Sequence, residues 1–99
     1  MAYRIVYSPA TDEHLRALTA RQRSIVFDAV NEQLTREPAV ETRNRKAMRP
    51  NPLAPWELRL GELRVYYESV EEPEAVVTIL AVGVKQRERL LIAGKEIKL

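Results

Sequence analysis

The sequence predicts an α+β domain in which a helical hairpin packs on a mostly antiparallel sheet of about four strands, in the order β-α-α-β-β-β. Three observations predict it. Helix-like and strand-like stretches are segregated along the chain, helices early and strands late. WELRLGELRVYY (56–67) reads as a tight hairpin around Gly61-Glu62. AVVTILAVG (75–83) is nearly all apolar, as suits a central strand covered on both faces. The length of 99 residues suits a single domain spanning 1–99.

YRIVYS (3–8) alternates and is rich in β-formers, which predicts the first strand. Ser8-Pro9 reads as a helix start, with Ser8 as N-cap and Pro9 at the first helical position. Asp12 and Glu13 fall in the first turn, where the helix dipole favours acids. Thr19 and Gln22 have capping-box spacing and open a second helix. Ile25, Val26, Ala29, Val30 and Leu34 are spaced to line one face of it, and Pro38 stops it. The two helices are expected over about 10–18 and 20–36.

Residues 38–55 hold four prolines and a cluster of bases. They read as a long loop, with at most a short strand or turn near Ala47-Met48. Strands follow at 56–60, 63–70 and 75–83, the last two joined by an exposed turn at Glu71-Glu72-Pro73-Glu74. Beyond Gly83 the pattern is mixed. It predicts a short helix or turn, a break at Ala93-Gly94 and a brief strand, EIKL.

A two-residue turn at Gly61-Glu62 fixes the hairpin register by counting outward. Arg59 then faces Arg64, Glu57 faces Tyr66, and Trp56 faces Tyr67. One face carries Trp56, Leu58, Leu60, Leu63, Val65 and Tyr67 and is suited to receive the helices. The other carries Glu57, Arg59, Arg64 and Tyr66. Two arginines directly opposite repel unless an anion neutralises them. Two readings stand: a solvated sheet face with a Glu57–arginine ion pair, or a phosphate site, since guanidinium binds phosphate bidentately. Tyr66 beside them offers a hydroxyl, or a ring on which a base stacks.

Composition narrows the function classes. There is no cysteine and one histidine, so disulfides, thiolate metal sites and His clusters are not expected, and no metal or cofactor is predicted. MAYRIVYSPA reads as a strand rather than a signal peptide, and no apolar run has membrane-spanning length; a cytoplasmic location is expected. Net charge is only +2, but it is uneven. Arg43 to Arg64 holds six bases and two acids, while Val65 to Glu74 holds four acids and no base. The first block suits a polyanion, though such blocks are also ordinary solvated surface.

Nearly the whole chain resembles the RelE/ParE superfamily of bacterial type II toxins. The likeness rests on the opening strand, the helical pair, the basic loop, PWELRLGELRVYYE, TILAVGVKQRER and the late GKEI. The RelE-like branch implies a toxin that enters the ribosome and cuts mRNA without metal, and that is held inactive by a cognate antitoxin. The substrate 2′-hydroxyl attacks the adjacent phosphate, which requires a base, cations for the developing charge and an acid for the leaving oxygen. The resemblance carries Arg64 to the scissile phosphate and Arg59 to charge stabilisation. Glu57 stands where some relatives carry a second lysine. Glu62 resembles the general-base glutamate of the YoeB-like branch, although a plain turn residue is the simpler reading. Lys85, Arg87 and Arg89 stand where a further catalytic arginine is found, so Arg87 is a catalytic candidate and Lys85 and Arg89 are RNA-binding ones. Arg43, Arg45, Lys46 and Arg49 would grip RNA.

One departure matters. RelE-like nucleases carry a Tyr or His soon after the late arginine, and RERLLIAG has neither. Tyr66 is the candidate substitute. His14 is expected on the first helix, away from the arginine face, as a surface or packing residue. Two other functions therefore stay open: a ParE-like inhibitor of DNA gyrase, and a non-toxic module of the same fold that pairs only with an antitoxin or RNA.

Overall fold

The computed structural model describes residues 2–99. The elements are β1 (Arg4–Tyr7), α1 (Ala10–Arg16), α2 (Ala20–Gln33), β2 (Arg45–Ala47), β3 (Trp56–Leu60), β4 (Leu63–Val70), β5 (Val76–Gln86), β6 (Arg89–Ile92) and β7 (Lys95–Ile97). The fold is α+β as predicted, but the sheet has seven strands rather than about four. Six run β2-β3-β4-β5-β6-β7, each antiparallel to its neighbour. The additional strands β2, β6 and β7 have only three or four residues each and carry charges, so little apolar periodicity marks them.

β5 is the axis of the sheet. One edge pairs with β4 along nearly its whole length. The other edge is shared: β1 pairs in parallel with Val76–Ile79, and β6 pairs antiparallel with Val84–Gln86. Side chains serve the backbone between them. The Ser8 hydroxyl donates weakly to the Leu80 carbonyl at 3.5 Å, and His14 Nδ1 accepts the Val82 N–H at 3.3 Å.

Ser8 is not the N-cap. Its backbone N–H still donates to the Ile79 carbonyl at 2.9 Å, so it belongs to the sheet. Pro9 takes the cap position with no side-chain bond, while the Thr11 hydroxyl donates back to the Ser8 carbonyl at 2.6 Å. At the start of α2 the capping box forms as predicted. Thr19 Oγ1 accepts the Gln22 N–H at 3.1 Å, and Gln22 Oε1 accepts the Thr19 N–H at 2.9 Å. Val26, Val30 and Leu34 are fully buried, and Ala29 nearly so. Ile25 lies one residue off that stripe and is 41% exposed, contrary to its predicted place in the core. Both helices stop short of their predicted ends, at Arg16 and Gln33. After α2 the Thr35 carbonyl accepts the Tyr3 N–H at 2.6 Å, which draws the chain onto the sheet.

The β3–β4 register is the one counted from the sequence, with Arg59 opposite Arg64 and Trp56 opposite Tyr67. The helical face of the sheet packs Leu58, Leu63, Val65, Tyr67, Val77, Ile79 and Val82 against α2 and Leu18. Each large apolar side chain buried here contributes about 1.5–3 kcal/mol. The Tyr67 hydroxyl is satisfied inside this core by donating to the Pro38 carbonyl at 2.7 Å.

The opposite face is not an open solvated surface. It holds a second apolar cluster of Ala54, Tyr66, Ala81, Leu90 and Ile92, flanked by Met48, Leu53, Leu80 and Ile97. Two segments roof it. On one side is the Pro-rich loop, folded around Asn51. That side chain donates to the carbonyls of Arg49 and Ala54 and accepts the N–H groups of Leu53 and Ala54. On the other side is the β6–β7 hairpin: β6 replaces the predicted helix or turn, while the break at Ala93-Gly94 and the brief late strand, β7, are as predicted. β5 continues three residues past Gly83, turns at Arg87 (φ 60°) and returns as β6. Gly83 permits the close return: a Cβ there would stand 2.7 Å from the Leu91 carbonyl oxygen and 2.9 Å from Ile92 Cγ1. Among the described residues no helix is long and apolar enough to cross a membrane.

Candidate functional site

Beside the β6–β7 roof, the sheet forms the floor of a cleft of about 370 Å³ that Glu88, Glu96 and Lys98 also line. Glu57, Tyr66 and Lys85 line it from three neighbouring strands, and Leu90, Ile97 and Leu99 supply apolar wall. The register accounts for the placement. Lys46, Glu57, Tyr66 and Ala81 form one row across β2 to β5, and Arg59, Arg64 and Gly83 form the next. Lys85 lies two residues beyond Gly83 on the same face of β5. Its N–H donates to the Glu62 carbonyl at 2.7 Å, which fastens the β3–β4 turn to β5. Gly61 supplies the left-handed backbone (φ 61°) that this turn requires.

The two hairpin arginines are held differently. Arg59 is half exposed, and its Nε donates to Glu57 Oε1 at 2.6 Å. The Glu57–arginine ion pair read as one alternative from the sequence is thus present. Arg64 is half-buried; its Nη1 donates to the carbonyls of Gly61 (2.6 Å) and Leu63 (2.9 Å). That leaves Nε and Nη2 of Arg64 without a protein partner among the described residues.

Tyr66 is 1% exposed, so its ring cannot serve as a stacking platform as it stands. Burial drives its hydroxyl pKa well above the ordinary tyrosine value. The Glu57 carboxylate reinforces this by charge and hydrogen bonding, against the smaller opposing effects of Arg64 and Arg59. Such a phenol holds its proton firmly and is a weak general acid. Glu57 is 8% exposed, and its buried carboxylate is the feature that sequence reasoning underweighted. Period-2 alternation already put it on one face with Arg59. What the sequence did not give was the roof.

The other predicted residues divide. Glu62 is exposed at the turn, and its side chain accepts from Gln22 of α2 at 3.5 Å, on the helical side of the sheet. Arg87 sits exposed on the β5–β6 turn and Arg89 pairs with Glu96 at 3.0 Å; both flank the cleft rather than line it. Lys46 faces Glu57 across β2 and β3. Arg43 is exposed in the loop beside Asn44, whose carbonyl accepts the Arg59 N–H. Arg45 is turned the other way, donating to the carbonyls of Val40 (3.0 Å) and Gln33 (2.9 Å), where it braces the end of α2. Arg49 lines a separate groove of about 420 Å³ under the Pro-rich loop, with Glu68 and Leu80. His14 packs on the back of β5, on the opposite side of the sheet from the cleft. Among the described residues no group of three His, Cys, Asp or Glu is placed to hold a metal ion.

No family model matches the sequence, and no curated protein matches it either. The fold is similar to that of a chain in the crystal structure of the toxin–antitoxin complex RelBE2 from Mycobacterium tuberculosis. The TM-score is 0.73 at 25% sequence identity, and the match covers 86% of this chain and 100% of that one. A likeness of that extent, taken with the strand order and the β3–β4 hairpin register, identifies the fold of this chain as that of the RelE-like toxins.

Proposed function

We propose that this protein is the toxin of a type II toxin–antitoxin pair, and that it cuts ribosome-bound mRNA through the substrate 2′-hydroxyl. The observation that carries the reading is the cross-strand row of Arg59, Arg64 and Gly83, with Lys85 two residues further along β5, which puts three cations from adjacent strands on the sheet face that floors the cleft. A phosphodiester seated there meets cations on three sides. Arg64, with Nε and Nη2 unengaged, contacts the scissile phosphate. Arg59 and Lys85 offset the charge that builds on the phosphoryl oxygens as the 2′-oxygen attacks and the 5′-oxygen leaves. Arg43, Lys46 and Arg87 extend the positive surface toward ribosomal RNA. Neutralisation follows if a cognate antitoxin covers these groups. The protein would act in the cytoplasm, where ribosomes and mRNA are.

One observation favours a second reading. The cleft contains no histidine, and its one tyrosine is buried with a raised pKa, so a proton donor for the leaving oxygen is not evident. A gyrase inhibitor of the same fold needs none. Purified protein should cut mRNA in programmed ribosomes, leaving 2′,3′-cyclic phosphate and 5′-hydroxyl ends. Intact mRNA together with blocked gyrase supercoiling would select the second reading. Intact mRNA with unimpaired gyrase would leave a non-toxic binding module.

A further inference from the structure

We propose that Glu57 is a positioning residue of the cleft, holding Arg59 by its Nε so that both terminal nitrogens of that guanidinium face an RNA phosphate. The inference rests on the nuclease reading above and adds a role that the cations alone do not explain.

A carboxylate among apolar groups is costly unless it is paired and hydrogen-bonded. Glu57 is 8% exposed, on the floor of the cleft, where an apolar residue would fit the surroundings without that cost. Its electrostatic effect on an RNA site is also adverse, because it puts a negative charge beside the place where phosphate must sit. Its geometry shows what it supplies. Glu57 and Arg59 are two residues apart on one face of β3, and the Nε–Oε1 distance is 2.6 Å. Guanidinium has five N–H groups in a fixed plane, and an Nε bond uses one. The four on the terminal nitrogens stay free on a side chain that is half exposed. A long side chain otherwise free to rotate is thereby fixed in plane and direction before substrate arrives. In the cross-strand register Glu57 stands between Lys46 on β2 and Tyr66 on β4. In this role Glu57 takes no proton during the reaction.

These opposed effects give a kinetic signature. In Glu57→Gln the negative charge is gone and Arg59 is held less firmly. Cleavage of mRNA in programmed ribosomes should show kcat reduced about tenfold and KM reduced about two- to threefold. Glu57→Asp keeps the charge but is too short to reach Nε, so kcat should fall without the drop in KM. In an Arg59→Ala background, Glu57→Gln should change kcat by less than about twofold, because its target is gone. The pH–rate profile should keep its shape in all variants. The inference is overturned if the Glu57→Gln loss is undiminished in the Arg59→Ala background. Loss of the acidic limb of the profile overturns it too, since Glu57 would then be the base. A purely structural role would leave KM unchanged and lower kcat with the folded fraction measured by circular dichroism, which also sinks it. Wild-type protein that cuts nothing overturns the nuclease reading first, and this inference with it.

Discussion

β4 runs from the Gly61–Glu62 turn, flanked by Arg59 and Arg64, to the acidic turn at Glu71–Glu74, and the two ends of that strand use charge differently. At the Glu71–Glu74 end two of the three acids have partners. The Tyr3 hydroxyl donates to Glu71 at 2.8 Å and Arg4 donates to Glu74 at 2.7 Å, which fastens β1 beside the turn. At the Gly61–Glu62 end, Arg64, Lys85 and Arg87 have no carboxylate within ion-pair distance among the described residues. Glu57 holds Arg59 by a single nitrogen. In sequence the acidic end is a run of one sign, while Glu57, Arg59, Glu62 and Arg64 alternate at the other. Only the partners distinguish charge used internally from charge available to a ligand.

The strongest way to break this comparison is to delete one arginine at each end. Arg64→Ala should lower mRNA cleavage in programmed ribosomes by about 100-fold or more, the usual cost of losing a group that stabilises transition-state charge. Arg4→Ala removes the same charge, 62% exposed, and should leave cleavage within about twofold. Equal losses from the two substitutions would mean that net charge, not placement, carries the activity.

The next effect is on stability. Gly83→Ala puts a methyl group against the Leu91 carbonyl oxygen, and backbone cannot swing aside as a flexible side chain would. The expected cost is about 1–3 kcal/mol in urea unfolding, with the β6–β7 roof displaced from the cleft. A midpoint that does not move would show that the roof is loosely held, and that the basic end is more open than the packing of Leu90 and Ile92 implies.

This glycine also marks where the sequence stopped being legible. The helical pair, the β3–β4 register and the core face were readable because each followed from local rules: capping spacing, a two-residue turn, alternation. The roof over the second face depends on contacts between segments far apart in the chain. In RLLI the run of three apolar residues hides the alternation of Leu90 and Ile92, which are buried, with Leu91, which is less so. In the Pro-rich loop, one side chain, Asn51, makes the turn that lets Ala54 and Leu53 cover the sheet. Nothing in local periodicity announced either. The pairing of Arg59 with Arg64 and of Glu57 with Tyr66 was therefore legible, while the burial of Glu57 and Tyr66 was not. Arg45 shows the reverse case: a basic residue in a basic loop whose guanidinium is engaged by two carbonyls.

A smaller effect tests the join behind the cleft. His14 accepts the Val82 N–H, directly before Gly83, and only a neutral imidazole can accept there. Burial lowers its pKa from 6.5, outweighing the Glu13 charge that acts to raise it. The sign follows: the folded state favours the neutral ring, so this contribution is fully present above the unfolded value of 6.5. It is lost as pH falls through the lowered folded value. Wild-type protein should lose more stability between pH 8 and pH 5 than His14→Gln, by less than about 1 kcal/mol. Equal pH dependence in the two would remove His14 as a support of the split β5 edge.

The smallest effect belongs to the acidic end. Glu74→Gln breaks the Arg4 contact, but both side chains are 62% exposed, where Coulomb attraction is weak and ordering two long side chains offsets most of it. The expected change in unfolding free energy is about 0–0.5 kcal/mol, vanishing in high salt. Tyr3→Phe removes the stronger of the two anchors, since Tyr3 is buried while its hydroxyl still reaches Glu71. If Glu74→Gln instead cost as much as Gly83→Ala, β1 would depend on that turn for its place against β5. The acids would then be a structural clasp in their own right. If both changes are near neutral, β1 is held by its ladder to Val76–Ile79 and by core packing, and the acidic turn is free to vary without disturbing the cationic end.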